Sequence, residues 1–526
     1  MVSLGLTIPL AAFGTVDWVI LGAYLATMLV IGLVAAWRES RHKSGTAEFF
    51  LGGRSMPTWA LAISIVGSSL SVATFVGVPD TAYGGNLTYL ILFVGNFSAV
   101  FLVGFVFVPR LYNAGTVTIY GYLAGRFGEG ARVAVSVTFL FGRMLASGAR
   151  LMLAAVPLCM LVLNVPAGQV TRQQMVYAIL AIGFVGTFYT VFGGIRTVVW
   201  VDTIQFALVV GAAALTIGLL LHRIPMPFGD VVSTLRAAGK LKVVDLSADL
   251  QKPYTLWAAM TGQVLVAAAA FGVDHDLAQR FLVAKSPSRG ALSVIASQFV
   301  AVVVVFMFLA IGLLLYVYYG NAGGAAAASL PAGEKAVYQW FLMTELPPVA
   351  SGLAMAGLFA VSQGSMDSAV NALASSAVAD IYLPLRTMRG RPIDPDKPVD
   401  APKIAVAAMG AVMTGFAVAC AYAYDPKQKG FLEFALGVLN FAFSGMLAVF
   451  LTALLTRRGN SRSVVLALLT GVVVVALSQD VPMRWITERL LGEPHTLAFT
   501  WAMPIATGLA FLVCVFGRPS GAERTT

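Results

Sequence analysis

Long apolar runs occupy most of this sequence and leave little of it for anything else. Thirteen such runs recur between positions 16 and 517, each of roughly 18 or more residues and long enough to cross a hydrocarbon core of ~30 Å as a helix. Lipid offers backbone groups no hydrogen-bond partners, so runs of this kind must be helical. The pattern predicts an all-α integral membrane protein with thirteen transmembrane helices, in a single domain spanning 1–526. The runs are 16–37, 57–80, 87–112, 131–163, 175–192, 195–221, 255–280, 290–319, 350–382, 403–423, 430–456, 463–480 and 497–517.

Composition and charge support this class. The chain is 59% hydrophobic and only 11% charged, with a formal net charge of +10. With the N-terminus outside, 21 of the 34 Lys and Arg residues, Arg280 among them, fall on the cytoplasmic side. That bias follows the positive-inside rule. The basic balance therefore indicates topology and not a nucleic-acid partner: a multi-pass plasma (inner) membrane protein with its C-terminus in the cytoplasm and the lipid bilayer as its surroundings. It leaves the oligomeric state open.

Catalytic signatures are missing from the sequence. It contains no HExxH, no nucleophile elbow and no paired His and Cys set with metal-ligand spacing. The three cysteines and four histidines are scattered. We therefore expect a protein that is not an enzyme.

The order of the runs suggests an internal symmetry. After a first span at 16–37, ten runs divide into two sets of five, 56–221 and 255–458, and two C-terminal spans follow within 462–517. Because five is odd, the second set would cross the membrane in the opposite sense, as in inverted-repeat transporters. The fold predicted is a five-plus-five core with discontinuous first and sixth core helices.

Each predicted repeat opens with a segment that disfavours a continuous helix. VGSSLSVATF in the first opener combines glycine with serines, and both weaken a helix. FGVDHDLAQR in the second places acidic residues at an apolar span. Breaks in such helices commonly form the binding site. The candidate substrate contacts are Ser69, Thr74, Phe75 and Asp274.

The segment 352–382 carries the densest polar pattern of the membrane region. At helical spacing, Val361, Ser365 and Ser368 share a face with Ala372 and Ser375, and a second group lies beside them: Gly364, Asp367 and Asn371. Such a face must contact protein or water and not lipid. Hydroxyl and carboxylate oxygens suit a small hard cation. Helix packing through small residues is the alternative for the serines.

The chain resembles the sodium/solute symporter family, which includes sodium-coupled sugar, proline, pantothenate and sialic acid transporters. The resemblance covers roughly residues 45–460 and is carried by five motifs in the family's order. They are EFFLGGRSMPTWALAISIVGSSLSVATFVGVP (48–79), GGIRTVVWVDTIQ (193–205), DHDLAQRFLVAKS (274–286), GSMDSAVNALASSAVADIY (364–382) and SGMLAVFLTALLTRRGNSR (444–462). It implies the inverted-repeat fold, with one span before the repeats and two after them.

The resemblance also implies a sodium site between the unwound first core helix and the eighth. Its carbonyl ligands fall on Gly67, Leu70 and Val361, and its hydroxyl on Ser365. The family has a second Ser or Thr hydroxyl, and the matching position here is Gly364. This sequence therefore keeps one side-chain ligand and lacks the other.

Asp202 matches the acidic residue of the family's W-x-D-x-x-Q motif, at 200–205. In some members this residue joins a possible second cation site, whose other positions match Gly364, Asp367 and Ser368 here. Two neighbouring carboxylates disfavour joint ionisation unless a cation lies between them. A second Na⁺, a shared proton, or a salt bridge to Arg143 or Arg150 all remain open.

Arg143 and Arg150 lie two turns apart on one face of a predicted span. Buried guanidinium groups need partners. These could be Asp202, Asp367 or backbone carbonyls. Alternatively, one arginine binds a substrate carboxylate, because a guanidinium matches that group bidentately. The family's sialic acid transporters use an arginine that corresponds to the region of Arg143, which favours a carboxylate-bearing solute.

The sequence thus predicts a sodium-coupled secondary active symporter. It would import a small polar organic solute by alternating access, with Na⁺ as the coupling ion. Two alternatives stay open. One is proton coupling through Asp202 or Asp367 in the same fold, and the other is a transporter-like solute sensor. The identity of the solute and the number of coupled ions are left undetermined.

Overall fold

Helices make up nearly all of the regular structure. The computed structural model describes residues 14–41, 45–163, 169–321, 330, 336–390, 400–423 and 430–518. Within these ranges no strand forms, and an isolated parallel bridge pairs Met56 with Ala284. The prediction of an all-α protein is confirmed. The helices are α1 (Thr15–Arg41), α2 (Thr46–Leu51), α3 (Thr58–Ser69), α4 (Val78–Gly84), α5 (Leu92–Leu102), α6 (Val108–Asn113), α7 (Gly121–Phe127), α8 (Glu129–Leu163), α9 (Arg172–Arg223), α10 (Phe228–Ala237), α11 (Leu256–Ala258), α12 (Val264–Gly272), α13 (His275–Leu282), α14 (Pro287–Asn321), α15 (Val337–Thr344), α16 (Ala350–Ser376), α17 (Leu383–Met388), α18 (Ala401–Ala423), α19 (Gly430–Leu455), α20 (Ser461–Leu477), α21 (Asp480–Leu491) and α22 (Phe499–Val515).

Each of the thirteen predicted apolar runs overlaps a helix. Among the described residues, six helices are long and apolar enough to cross a membrane, and the number rises to nine if each of three bent pairs counts as one span. The shorter helices α19 and α22 are also apolar. The exact number of crossings and the inverted repeat remain predictions.

Two of the bent pairs lie where the sequence predicts discontinuous helices. The helices on either side of residues 70–73 meet at 77°, and those on either side of residues 273–274 meet at 58°. The first break follows Gly67 and two serines, and Leu70 adopts an extended backbone with φ −66° and ψ 141°. At the second, the side chain of Asp274 caps α13 by accepting from the backbone N–H of Asp276 at 3.1 Å. The third bent pair, α20 with α21 at 75°, was not predicted.

Helix α9 contains 52 residues, which would extend about 78 Å if straight. That is more than twice the thickness of a bilayer core. The helix is interrupted at Gly194, whose φ of 53° and ψ of −160° are not helical. A Cβ at this position would lie 2.5 Å from the Phe49 carbonyl oxygen. The break falls at the predicted boundary between the runs 175–192 and 195–221.

Helix α16 is the most enclosed long helix of the described structure. Its side chains are buried from Ala354 to Ser376, including the polar face predicted from the sequence. It packs most extensively against α9, and also contacts α8, α1, α18 and α3. The expectation that this face avoids lipid is therefore confirmed. The polar residues of α16 must find their partners within the protein.

The start of α16 is held by a residue of α1. The buried Asp17 Oδ1 accepts from the backbone N–H of Val349 at 2.9 Å and from that of Gly352 at 2.8 Å. Val349, a β-branched residue, has a positive φ of 74°. Such a conformation is an outlier that surrounding contacts must hold. The N-cap residue Val349 makes no side-chain hydrogen bond to α16, and Asp17 caps the helix in its place.

Candidate functional site

The innermost charges of the protein belong to a buried ion pair between α13 and α9. Arg280 Nη2 lies 3.2 Å from Asp202 Oδ2, and both side chains are fully buried. Arg280 also donates to Ser68 Oγ at 2.7 Å, and Ser64 donates to the same carboxylate oxygen. Arg280, which the charge count assigns to the cytoplasmic side, is thus buried within the protein in an ion pair. Its partner Asp202 is paired with Arg280 and not with Arg143 or Arg150.

Arg143 is paired with the two acidic residues around the break of the second opener. Its Nη1 lies 2.6 Å from Asp274 Oδ2, and its Nη2 bonds to Asp276 Oδ2. All three side chains are buried. Arg143 thus holds α8 against α13 and has neither Asp202 nor Asp367 as a partner. The predicted substrate contacts Arg143 and Asp274 bind each other in this conformation.

Asp276 joins these two pairs into one network. Its Oδ1 accepts from Arg280 Nη1 at 2.9 Å and also from the hydroxyl of Ser368. The alternating series is therefore Asp274, Arg143, Asp276, Arg280 and Asp202, running from α8 through α13 to α9. Buried charges are tolerated when they are paired in this way.

Asp367 stands apart from that series. Its Oδ2 accepts from the Tyr189 hydroxyl, and its Oδ1 from the backbone N–H of Ser368 at 2.6 Å. Among the described residues it has no arginine or lysine within ion-pair distance. The three residues expected at a second cation site are therefore divided, because Asp202 faces Arg280, Ser368 faces Asp276 and Asp367 faces Tyr189.

Two buried oxygens at the junction of α9 and α16 have no hydrogen-bond donor among the described residues. They are Asp202 Oδ1 and Gln205 Oε1. A Cβ placed on Gly364 would lie 2.6 Å from Gln205 Oε1 and 3.6 Å from Asp202 Oδ1. The missing side chain at Gly364 thus leaves room for these oxygens. A buried oxygen without a hydrogen-bond donor lowers the stability of the fold. A cation bound at this position would offset that penalty.

The residues predicted for the sodium site lie around the same junction. Gly67 and Leu70 are at the broken end of α3, where the last carbonyls of a helix lack intrahelical donors. Gly67 also lies close to Asp202, since a Cβ on it would be 3.4 Å from the Asp202 carbonyl oxygen. Val361 and Ser365 are buried on α16, which contacts α3. Gly67 of α3 and Gly364 of α16 thus both lie close to Asp202 of α9.

The predicted substrate contacts differ in accessibility. Ser69 is exposed at the first break, and its hydroxyl donates to the Val66 carbonyl at 2.8 Å. Thr74 is partly buried. Phe75 is buried, with its ring 5.2 Å from that of Phe308 and 5.9 Å from that of Tyr338. In this conformation Ser69 is open to a solute, whereas Phe75 forms part of an aromatic cluster.

Arg150 differs from Arg143 in having no acidic partner. It is partly buried on α8, and its Nε has no hydrogen-bond partner among the described residues. Asp274 and Asp276, which act on it electrostatically, are already bonded to Arg143. Among the described residues, Arg150 is therefore not paired with an acidic side chain.

Arg280 and Gln205 are not among the candidate site residues predicted from the sequence, and Asp276 stands there only as one of the acidic residues of the second opener. A signal for Arg280 was present, because Arg280 follows Asp276 by four residues and both project from one face of a helix. When an arginine follows an acidic residue by one helical turn within an apolar segment, a buried ion pair between the two is expected. Gln205 belongs to the quoted W-x-D-x-x-Q motif, but its role depends on contacts with α16.

The fold and this buried polar junction define a helical membrane transporter. A family-level comparison matches residues 49–471 to the description "Sodium:solute symporter family". Since this covers most of the chain, the protein belongs to the sodium:solute symporter family, whose members are transporters and not enzymes. The resemblance inferred from the motifs is thereby confirmed.

Relatives within the family carry several solute names. The sodium/sialic acid symporter SiaT of Proteus mirabilis (strain HI4320) is 24% identical over 88% of this chain and 89% of its own length. The sodium-coupled monocarboxylate transporter 2 of Danio rerio is 26% identical over 87% of this chain and 70% of its own. The human sodium/iodide cotransporter is 25% identical over 72% of this chain and 58% of its own.

Two solved structures show the fold. A Na⁺-coupled sialic acid symporter in a substrate-bound outward-open state superimposes with a TM-score of 0.80, at 22% identity, over 96% of this chain and 97% of that one. Mhp1, a nucleobase-cation-symport-1 family transporter, superimposes with a TM-score of 0.53 at 15% identity, over 88% and 92% of the two chains. At these identities the comparison concerns the fold alone.

Proposed function

We propose that this protein is a sodium-coupled symporter that imports a small carboxylate-bearing solute across the plasma membrane by alternating access. Family membership supports solute transport with sodium as the coupling ion. The solute, the ion site and the orientation of the termini are inferred from the residues. The observation that carries the ion site is the pair of unpartnered oxygens on Asp202 and Gln205 at Gly364.

In the proposed site, Na⁺ binds the carbonyls of Gly67, Leu70 and Val361 and the hydroxyl of Ser365. The place of the hydroxyl absent at Gly364 is taken by Gln205 Oε1. An amide oxygen is a hard, neutral ligand of the kind that Na⁺ accepts, and Gly364 is small enough to admit it. The Asp202 Oδ1 atom adds negative charge to the same region.

Charge counting supports one bound monovalent cation. The buried series and its neighbours contain four carboxylates, on Asp202, Asp274, Asp276 and Asp367, and three guanidinium groups, on Arg143, Arg150 and Arg280. Fully ionised, these seven groups carry a net charge of −1. A sodium ion would bring the net charge of these groups to zero, and a carboxylate solute bound at Arg150 would return it to −1.

Coupling follows from shared helices. Na⁺ would tie the end of α3 to α16, and the solute would contact the break after Ser69 and the guanidinium of Arg150. A ligand shifts a conformational equilibrium only by its differential affinity for the two states. Because each ligand would order helices that the other touches, each increases the affinity for the other. One charge moving through ~100 mV contributes about 2.3 kcal/mol, which supports accumulation of the solute.

A carboxylate is preferred over a neutral solute because Arg150 retains donors that no acid occupies. The relatives compared above are named for sialic acid, monocarboxylates and iodide, all of which are acids or anions. We therefore assign binding of the substrate carboxylate to Arg150 in place of Arg143, because Arg143 is already neutralised by two carboxylates.

Proton coupling is the second candidate, and Asp367 is the residue that favours it. A buried carboxylate whose partners are a hydroxyl and a backbone N–H could be neutralised by a proton as well as by a metal ion. In that case Na⁺ and K⁺ would be equivalent for the protein.

The test is the thermal stability of the purified protein in Na⁺ against K⁺ at matched ionic strength. We expect a sodium-specific rise in the unfolding midpoint that is lost in Ser365→Ala. Ser362→Ala is the matched control, because the Ser362 hydroxyl on the same helix is bonded to the Leu358 carbonyl at 2.8 Å. If the wild type is equally stable in both salts, the sodium site is wrong and proton coupling is the better interpretation. Uptake of labelled carboxylates into proteoliposomes under a sodium gradient then tests the solute class.

A further inference from the structure

A cavity lies between the last turns of α1, the short helix α2 and the interrupted part of α9. Its volume is about 840 Å³. The ionisable groups that line it are Arg38 and Arg41 from α1, Glu48 from α2 and Arg196 from α9. We call this cavity the α1–α9 groove. Three guanidinium groups against one carboxylate give its lining a positive balance.

The arginines of the groove are oriented by local contacts. The Arg41 guanidinium lies 4.0 Å from the centre of the Trp37 ring. Arg196 Nε donates to the Gly52 carbonyl at 2.8 Å, which uses one of the five N–H donors of that side chain. Both guanidinium groups are thus positioned at the groove, Arg41 by a cation–π contact and Arg196 by a hydrogen bond.

The remaining walls are apolar and exposed. Val30 and Val34 of α1 and Ile204 of α9 each have more than a third of their surface accessible, as do Trp37 and Trp200. In a membrane-spanning protein such residues face lipid. Tryptophans are enriched at the level of the lipid headgroups. The groove therefore has a basic end and an exposed apolar side.

We infer that the α1–α9 groove binds an anionic phospholipid. The phosphate group would lie among Arg38, Arg41 and Arg196, and the acyl chains along Val30, Val34 and Ile204. Basic pockets between transmembrane helices are known to hold such headgroups. The positive balance favours an anionic over a zwitterionic headgroup. The apolar wall favours a lipid over free phosphate.

This site concerns the surroundings of the protein and does not depend on which solute or ion is transported. It does involve α9, because the segment that lines the groove, from Arg196 to Ile204, also carries Asp202. A lipid in the groove would hold that segment against α1. We therefore expect lipid occupancy to raise the stability of the whole protein.

The test uses the full-length protein in detergent after removal of bound lipid. Dioleoyl phosphatidylglycerol is titrated against dioleoyl phosphatidylcholine, with binding followed by native mass spectrometry and the unfolding midpoint. We expect the phosphatidylglycerol to bind and to raise the midpoint, whereas phosphatidylcholine does neither. The double variant Arg38→Gln/Arg41→Gln should bind phosphatidylglycerol roughly 30-fold more weakly.

Two further variants separate lipid binding from folding. Arg38→Lys/Arg41→Lys keeps both charges and should retain the preference for phosphatidylglycerol. Arg462→Gln removes an exposed arginine outside the groove and should bind like the wild type. The inference is overturned if both lipids bind equally, if the Gln double variant binds phosphatidylglycerol as tightly as the wild type, or if inorganic phosphate at matched ionic strength reproduces the stabilisation.

Discussion

Arg280 on α13 and Asp202 on α9 form an ion pair of 3.2 Å in which neither side chain has accessible surface. The pair joins the second half of a broken helix to the helix that carries Gln205. It also occupies one oxygen of Asp202 and leaves the other without a donor. Oδ2 of Asp202 is therefore part of the buried ion-pair series. In the proposed site, Oδ1 faces the sodium ion.

Removing the charge of Arg280 should destabilise the protein strongly. Arg280→Gln leaves the buried Asp202 without its guanidinium partner and leaves Asp276 with Arg143 alone, a change that typically costs about 3–5 kcal/mol. The expected result is a large fall in the midpoint of thermal unfolding. Arg462→Gln, at an exposed position, should change stability by no more than about 0.5 kcal/mol. A wild-type midpoint for Arg280→Gln would contradict the buried network.

A methyl group at position 364 should weaken sodium binding. In Gly364→Ala the new Cβ would lie 2.6 Å from Gln205 Oε1, so the amide must move away from the proposed ion. We expect a smaller Na⁺-specific rise in the unfolding midpoint and a higher Na⁺ concentration for half-maximal uptake. Gly186→Ala is the control on the facing helix, since its Cβ would be 3.4 Å from the flexible Met366 Sδ. Equal sodium dependence in the two variants would argue against a role for Gln205.

Neutralising Arg150 should impair solute binding and leave folding intact. Because Arg150 has no acidic partner, Arg150→Gln leaves no buried carboxylate unpaired. The variant should therefore unfold near the wild-type temperature. The loss of a charge-assisted bond to a carboxylate, about 1.5–3 kcal/mol, would raise the KM for uptake roughly 10–100-fold. Arg143→Gln is the contrasting variant, because it leaves the buried Asp274 without a cationic partner and Asp276 with Arg280 alone, and it should be poorly folded. An unchanged KM in Arg150→Gln would remove this arginine from the substrate site.

The interruption of α9 requires glycine at position 194. Gly194→Ala places a side chain on a backbone with φ 53° and a Cβ 2.5 Å from the Phe49 carbonyl oxygen. Both changes are unfavourable, and we expect a lower unfolding midpoint. Gly211→Ala, in the regular part of the same helix with nothing within 4 Å of the new Cβ, should instead stabilise by up to ~1 kcal/mol. If the two variants behave alike, the kink is not a constraint on the sequence.

The sequence predicted the helical segments and the positions of two breaks because both depend on local composition. Apolar runs longer than a bilayer core must be helical, and the serine-rich stretch after Gly67 cannot easily continue a helix. The boundary at 193–194 was predicted for the same reason. The buried polar face of α16 followed from spacing alone, since hydroxyls at Ser365 and Ser368 repeat with the period of a helix.

The partners of the charged residues could not be predicted in this way. Arg143, Asp202 and Arg280 lie on three different helices, and their pairing depends on how those helices cross. Arg280 was counted on the cytoplasmic side because its position at the end of the apolar run 255–280 resembles the basic flank of a span. The third bend, between α20 and α21, likewise has no strong sequence signal, because the residues at the junction are compatible with a helix end or with its continuation.

Helix α1 lies outside the predicted repeats, yet its residue Asp17 holds the start of α16. Val349 holds a left-handed backbone that a β-branched residue disfavours, and the carboxylate of Asp17 accepts from its N–H and from that of Gly352. Sliding α1 along its axis would break both bonds and release the strained turn. The first turn of the helix that carries Ser365 is therefore fixed by a segment more than three hundred residues earlier in the chain.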